Sequence, residues 1–184
     1  MTIFGVDTGS RSLREADHLI HALVDRFRLP GQVVACTHLI RGEHSHVAVS
    51  LAGAGDLWPE LTRWAEASDA GVAADTGRGG RYDLAASAAE AAAGVAGRAV
   101  VFPGSAGLTG VVRVGDLLER SSITRLHVIG GPDQPTPDDV LDTRDHVRPE
   151  WRSGELVLAV TPAGPGRYAP FEVPNPTPCC ADHA

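Results

Sequence analysis

Residues 33–51 alternate with a period of two, and this pattern constrains the fold more than any other stretch of the chain. Val33, Ala35, Thr37 and Leu39 interleave with Val34, Cys36, His38 and Ile40. After Arg41, Gly42 and Glu43, the run His44, His46, Ala48 and Ser50 interleaves with Ser45, Val47, Val49 and Leu51. Successive side chains on a strand leave on opposite faces, so two alternating runs broken at a glycine predict an antiparallel hairpin. Loop length sets the register. A loop of Arg41, Gly42 and Glu43 places His38 opposite His46 and projects Cys36, His38, His44 and His46 from one face. Ala35, Leu39, Val47, Val49 and Leu51 then share the other face. A two-residue loop would invert His38. The three-residue loop separates apolar from polar residues and is the expected register.

A His-x-His pair on one strand with a third histidine on its neighbour is an arrangement that can hold zinc and leave a coordination position open. Opposed residues on paired strands have Cβ atoms roughly 5 Å apart, close enough to converge on one ion. Water in the open position would ionise near neutrality, and Glu43 is the candidate general base. The competing reading is that these histidines are ordinary polar-face strand residues. The downstream glutamate of a cupin-type site is missing, and no His-Glu-x-x-His helix occurs.

A second set of soft ligands lies in the tail. Cys179, Cys180 and His183 follow the proline-rich stretch 174–178, which cannot form regular structure. One reading folds this tail back to cap the hairpin with a thiolate; the other leaves it an idle terminus. Three cysteines, two of them adjacent, do not suggest a disulfide framework.

The remaining pattern is mixed. Ser12 followed by Glu15 is a capping box, and Ala16, Leu19, Ile20, Leu23, Val24 and Phe27 form an apolar stripe, predicting a helix over 13–27. Asp17, His18 and His21 fall on its polar side. Further helices are expected over 56–68, with Asp56 as the cap, over the alanine-rich 82–95, and over 114–120. A helical turn is expected over 136–141. Residues 71–80 read as a loop. Short buried strands are expected at 98–102 and 126–129, a hairpin over 146–160 turning at Ser153-Gly154, and a last strand-like run over 167–173. Helices and strands alternate, then hairpins follow, which predicts one mixed α/β or α+β domain over 1–173 with helices packed on a mixed sheet, and an irregular tail over 174–184.

The glycine loop 104–110 follows a buried strand, so Gly104, Ser105 and Gly107 are candidates for cradling a phosphate or nucleotide. The spacing departs from G-x-G-x-x-G, and Ser105 lacks a nucleophile-elbow context. The charged run 142–148, with Arg144, His146 and Arg148, reads first as a solvated turn with local ion pairs; the alternative is anion recognition, because guanidinium forks match carboxylate and phosphate.

Composition removes several classes. The net charge is −7, which argues against general nucleic-acid binding. All 16 basic residues are arginine, so Schiff-base catalysis and the P-loop lysine are excluded. No run approaches the roughly 18 apolar residues of a membrane span, and the N-terminal residues lack secretory-signal features, so a cytoplasmic location is expected. The leading expectation is a zinc or other transition-metal protein, catalytic or not, acting on a small polar substrate. The alternatives are an accessory subunit that meets a protein partner, and an anion- or nucleotide-binding enzyme built on 104–110.

Overall fold

A computed structural model describes residues 2–41, 45–93, 96–131 and 134–174. In chain order the first elements are β1 (Ile3–Ser10), α1 (Leu13–Phe27), β2 (Val34–Ile40), β3 (His46–Ala52), α2 (Trp58–Ala67), β4 (Gly71–Ala74), β5 (Gly77–Gly80) and α3 (Tyr82–Ala92). There follow β6 (Arg98–Val101), a 3-10 turn at Ser105–Gly107, β7 (Val111–Arg113), α4 (Val114–Arg120) and β8 (Arg125–Val128). The last are β9 (Val140–Asp142), β10 (Glu150–Arg152), β11 (Glu155–Gly164) and β12 (Arg167–Pro170). The strands form one mixed sheet in the order β5-β4-β1-β3-β2-β6-β10-β11-β12-β9-β7, with β8 added beside β11. The pairs β8–β11 and β9–β12 are parallel and the other pairings antiparallel. The mixed α/β expectation holds. No helix among the described residues is long and apolar enough to cross a membrane.

Two apolar clusters share the sheet. The first joins the stripe of α1 (Ala16, Ile20, Leu23) and α2 (Leu61, Ala65) to Phe4, Val6, Ala35, Val49, Leu51 and Val72. The second surrounds α4 with Phe102, Leu117, Ile123, Leu141, Leu156, Leu158 and Val160. Helix α1 starts as its sequence dictates: Ser12 Oγ accepts from the Glu15 amide at 3.2 Å, and Glu15 Oε2 accepts from the Arg11 amide at 2.7 Å. The β10–β11 hairpin turns at Ser153 and Gly154, both with positive φ (54° and 83°), the two-residue geometry that matches strand twist.

Three local expectations are corrected. Residues 71–80 are not a loop but the hairpin β4–β5. Its strands are too glycine-rich to show alternation, and β4 is held by pairing with β1. Helix α2 starts at Trp58 rather than Asp56; Leu57 is the cap residue and no side chain caps it, while Pro59 fits the first turn, where no amide partner is needed. The expected helical turn over 136–141 ends after one bond, Asp139 N–H to Thr136 O, because Val140 then joins β12 and β7 as β9.

Helix α3 decides the environment of the histidine face. It lies on the side of the sheet opposite α1, and its alanines let it come very close. A Cβ at Gly5 would overlap the Ala88 carbonyl, and one at Gly71 would overlap the Leu84 backbone. Ala48 of β3, Ile40 of β2 and Ala91 of α3 close over one another there.

Candidate functional site

The β2–β3 register pairs Ile40 with His46, His38 with Ala48 and Cys36 with Ser50. The connection is therefore residues 41–45, not the three-residue loop. The slip is two residues, which keeps every side chain on its expected face. Both registers bury Val47, Val49 and Leu51, so the hydrophobic pattern cannot choose between them. Cys36, His38 and His46 share a face, but His38 and His46 do not face each other.

Their rings go to different partners. His46 Nε2 lies 2.7 Å from Asp7 Oδ2 on β1. Asp7 is fully buried, and its Oδ1 accepts the Gly9 amide at 2.7 Å. His38 Nε2 lies 2.7 Å from Ser50 Oγ. Burial pushes the His38 pKa down to about 4, so its ring is neutral at pH 7. Cys36 is buried beside Trp151; burial pushes its thiol up to about 12, against a smaller opposing effect of the Trp151 hydrogen bond. A thiol this basic is a poor nucleophile at neutral pH. Among the described residues no group of three or more His, Cys, Asp or Glu is placed to hold a metal. Glu43, His44, Cys179, Cys180 and His183 lie outside the described residues.

Four amides of the glycine loop are already bonded within the protein. Ser105 N–H donates to Phe102 O, Gly107 N–H to Gly104 O, and Leu108 N–H to Ser105 O, while Gly110 N–H donates to Asp145 Oδ1. A Cβ at Gly104 would overlap the Arg120 carbonyl, so this glycine serves the close approach of α4.

The densest charge cluster lies elsewhere, where α1 meets the C-terminal part of the chain. Arg98 opens β6, is 8% exposed, and uses its whole guanidinium. Nη1 and Nη2 donate to Asp17 Oδ1 and Oδ2 at 2.6 and 3.1 Å. Nε and Nη2 donate to Glu172 Oε2 and Oε1 at 2.7 and 2.5 Å, and Nη1 also approaches Thr37 Oγ1 at 3.5 Å. His146 Nε2 adds a 2.9 Å contact to Glu172, and Arg148 Nε donates to Asp17 Oδ2 at 3.1 Å. Burial alone would raise both carboxyls. Arg98, with Arg148 at Asp17 and His146 at Glu172, overcomes this and holds each below its ordinary value.

Arg98 is saturated, but Arg148 is not. Arg148 Nε and Nη1 donate to Asp17 and to the Val147 carbonyl, while Nη2 has no hydrogen-bond acceptor among the described residues. Its side chain is 14% exposed. It opens on a cleft of about 790 Å³ whose α1 wall carries Arg14, His18 and His21 and whose far wall carries His146, Val173 and Pro174. Three arginines meet two carboxylates there, a local positive excess in a chain of net charge −7.

The sequence hinted at this site only in part. The run 142–148 contributes His146 and Arg148 as an anion-recognition candidate, but Arg144 is exposed and outside the cleft. Asp17, read as a polar-side residue, is instead buried (7% exposed). Arg98 and Glu172 carried no local signal, because their partners are 81 and 74 residues away. Comparison of the chain with protein-family models, with curated proteins and with solved structures finds no match.

Proposed function

We propose that this protein binds a small anionic molecule, a carboxylate or phosphate, in the cleft between α1 and the C-terminal strand region. One observation carries the reading: Arg148, 14% exposed on its side chain, lines a cleft with a positive excess, and its Nη2 has no hydrogen-bond acceptor among the described residues. A guanidinium N–H forms strong charge-assisted bonds to oxyanions. The Arg148 Nε bond to Asp17 fixes the fork, and Arg98 fixes Asp17 in turn. Arg14, His18 and His21, three to four residues apart on α1, line the approach. In a thermal-shift assay at constant ionic strength, phosphate, sulfate or succinate should raise the melting temperature by several degrees, about 3 kcal/mol at 100-fold excess over Kd. Arg148→Gln should abolish the shift. No shift from any anion, or an undiminished shift in the variant, contradicts the reading.

A second reading, binding of zinc or another transition metal at the hairpin, is favoured by the Asp7–His46 pair. A carboxylate on one ring nitrogen orients a metal-ligating histidine, and neutral His38 needs no deprotonation to bind. On this reading His46, oriented by Asp7, is the first ligand to test. Protein purified without chelator should carry stoichiometric metal by elemental analysis and lose it in His46→Ala. Metal-free protein, or metal retained by that variant, sinks it.

A further inference from the structure

Arg148, Glu172 and Val173 line two neighbouring cavities. One is the cleft along α1; the other is a cavity of about 460 Å³ walled by Ile129, Leu158, Ala159, Pro170, Phe171 and Val173, with Arg152 at its edge beside Glu150. Among the described lining residues, Arg148 is the cation common to both. The second cavity is mostly apolar, and its size falls in the range of small-ligand sites. Phe171 stands at it 57% exposed, although its backbone is fixed by a 2.9 Å bond from its amide to Ala159 O.

We infer that the ligand of the Arg148 site is an amphipathic anion: its oxyanion head lies on the Arg148 guanidinium, and its apolar chain or ring lies in the Ile129–Leu158–Phe171 cavity. This rests on the anion reading above and adds the ligand class. The ligand class is a medium-chain acyl carboxylate or similar apolar carboxylic acid, selected by the Arg148 guanidinium and by the apolar wall, since Arg152 is paired with Glu150 at 3.1 Å. Inorganic phosphate would occupy the head position alone. Glu172 touches both cavities but is held in its bidentate pair with Arg98, so its charge is already neutralised. The site would thus take the head group without a facing unpaired carboxylate.

The test is a calorimetric series on the full-length chain with butyrate, hexanoate and octanoate, all below micelle formation, with phosphate and octylammonium as controls. Each added methylene should tighten Kd roughly threefold until the cavity is filled. Phe171→Ser, a change at an exposed position that leaves the core intact, should weaken octanoate roughly fivefold. Octylammonium should not bind. Phosphate binding with no gain along the acyl series overturns this inference and leaves the anion reading standing. Absence of binding by every anion overturns both. Equal binding of octanoate and octylammonium marks non-specific adsorption and also overturns it.

Discussion

Replacing Arg98 by methionine is expected to lower stability by at least about 3 kcal/mol, the cost of leaving buried carboxylates without their cation. For a chain of this size that is a fall in melting temperature of roughly 6–12 °C. The figure sits at the low end of the buried-pair range for two reasons. Asp17 keeps Arg148, and Glu172 keeps His146 and is about one third exposed on its side chain (34%). Arg98→Lys should be nearly as harmful, because one ammonium cannot make two bidentate pairs at once. The partner experiment separates charge balance from packing. Changing Arg98, Asp17 and Glu172 together to apolar residues of similar volume should recover only part of the loss, because Arg148 and His146 then lose their carboxylate partners. A melting temperature for Arg98→Met within about 2 °C of wild type would show that the cluster does not hold α1 to β6 and the C-terminal segment.

Acid stability is the second large effect, and it concerns His38. Its folded-state value of about 4 lies below its ordinary 6.5. Between those values the unfolded chain binds a proton that the folded chain refuses. The contribution to stability is therefore complete above pH 6.5 and is lost as the pH falls toward 4, by up to about 3 kcal/mol. Denaturant melts from pH 7 to pH 4 should show this slope in wild type and a flatter one in His38→Gln, which can still bond Ser50. The paired carboxylates Asp17 and Glu172 also lose their contribution, but only at lower pH, as each falls through its depressed value. The difference between the two proteins isolates His38. If the variant does not fold, the ring signal of wild-type His38 should show no titration above pH 5. A midpoint near 6.5 would contradict the buried, neutral ring.

What the residues revealed before folding, and what they concealed, has a physical pattern. Periodicity marked α1, the β2–β3 hairpin and its faces, and the Ser153–Gly154 turn, because each is dictated by neighbours within a few positions. It could not choose between registers two residues apart, which bury the same side chains. It also left the histidine face looking like a surface. The cover is α3, whose approach depends on Gly71 in the nearby β4 and on Gly5 in β1, 83 residues before its contact Ala88. The β4–β5 hairpin was illegible because residues Gly77–Gly80 have almost no side chains to alternate. The Arg98 cluster draws on α1, β6, the segment before β10 and the segment after β12, so no window of sequence contains it. Only Asp17, a carboxylate one position beyond the apolar Ala16, lay close enough to the buried stripe to be questioned.

The most direct measurement is a calorimetric titration of the wild-type chain and of Arg148→Gln with inorganic phosphate at low ionic strength. Saturable one-to-one binding in wild type, weakened at least about tenfold in the variant, is the expected result for a charge-assisted bond to one guanidinium edge. No saturable heat in wild type, or the same Kd in both proteins, would contradict anion binding at Arg148.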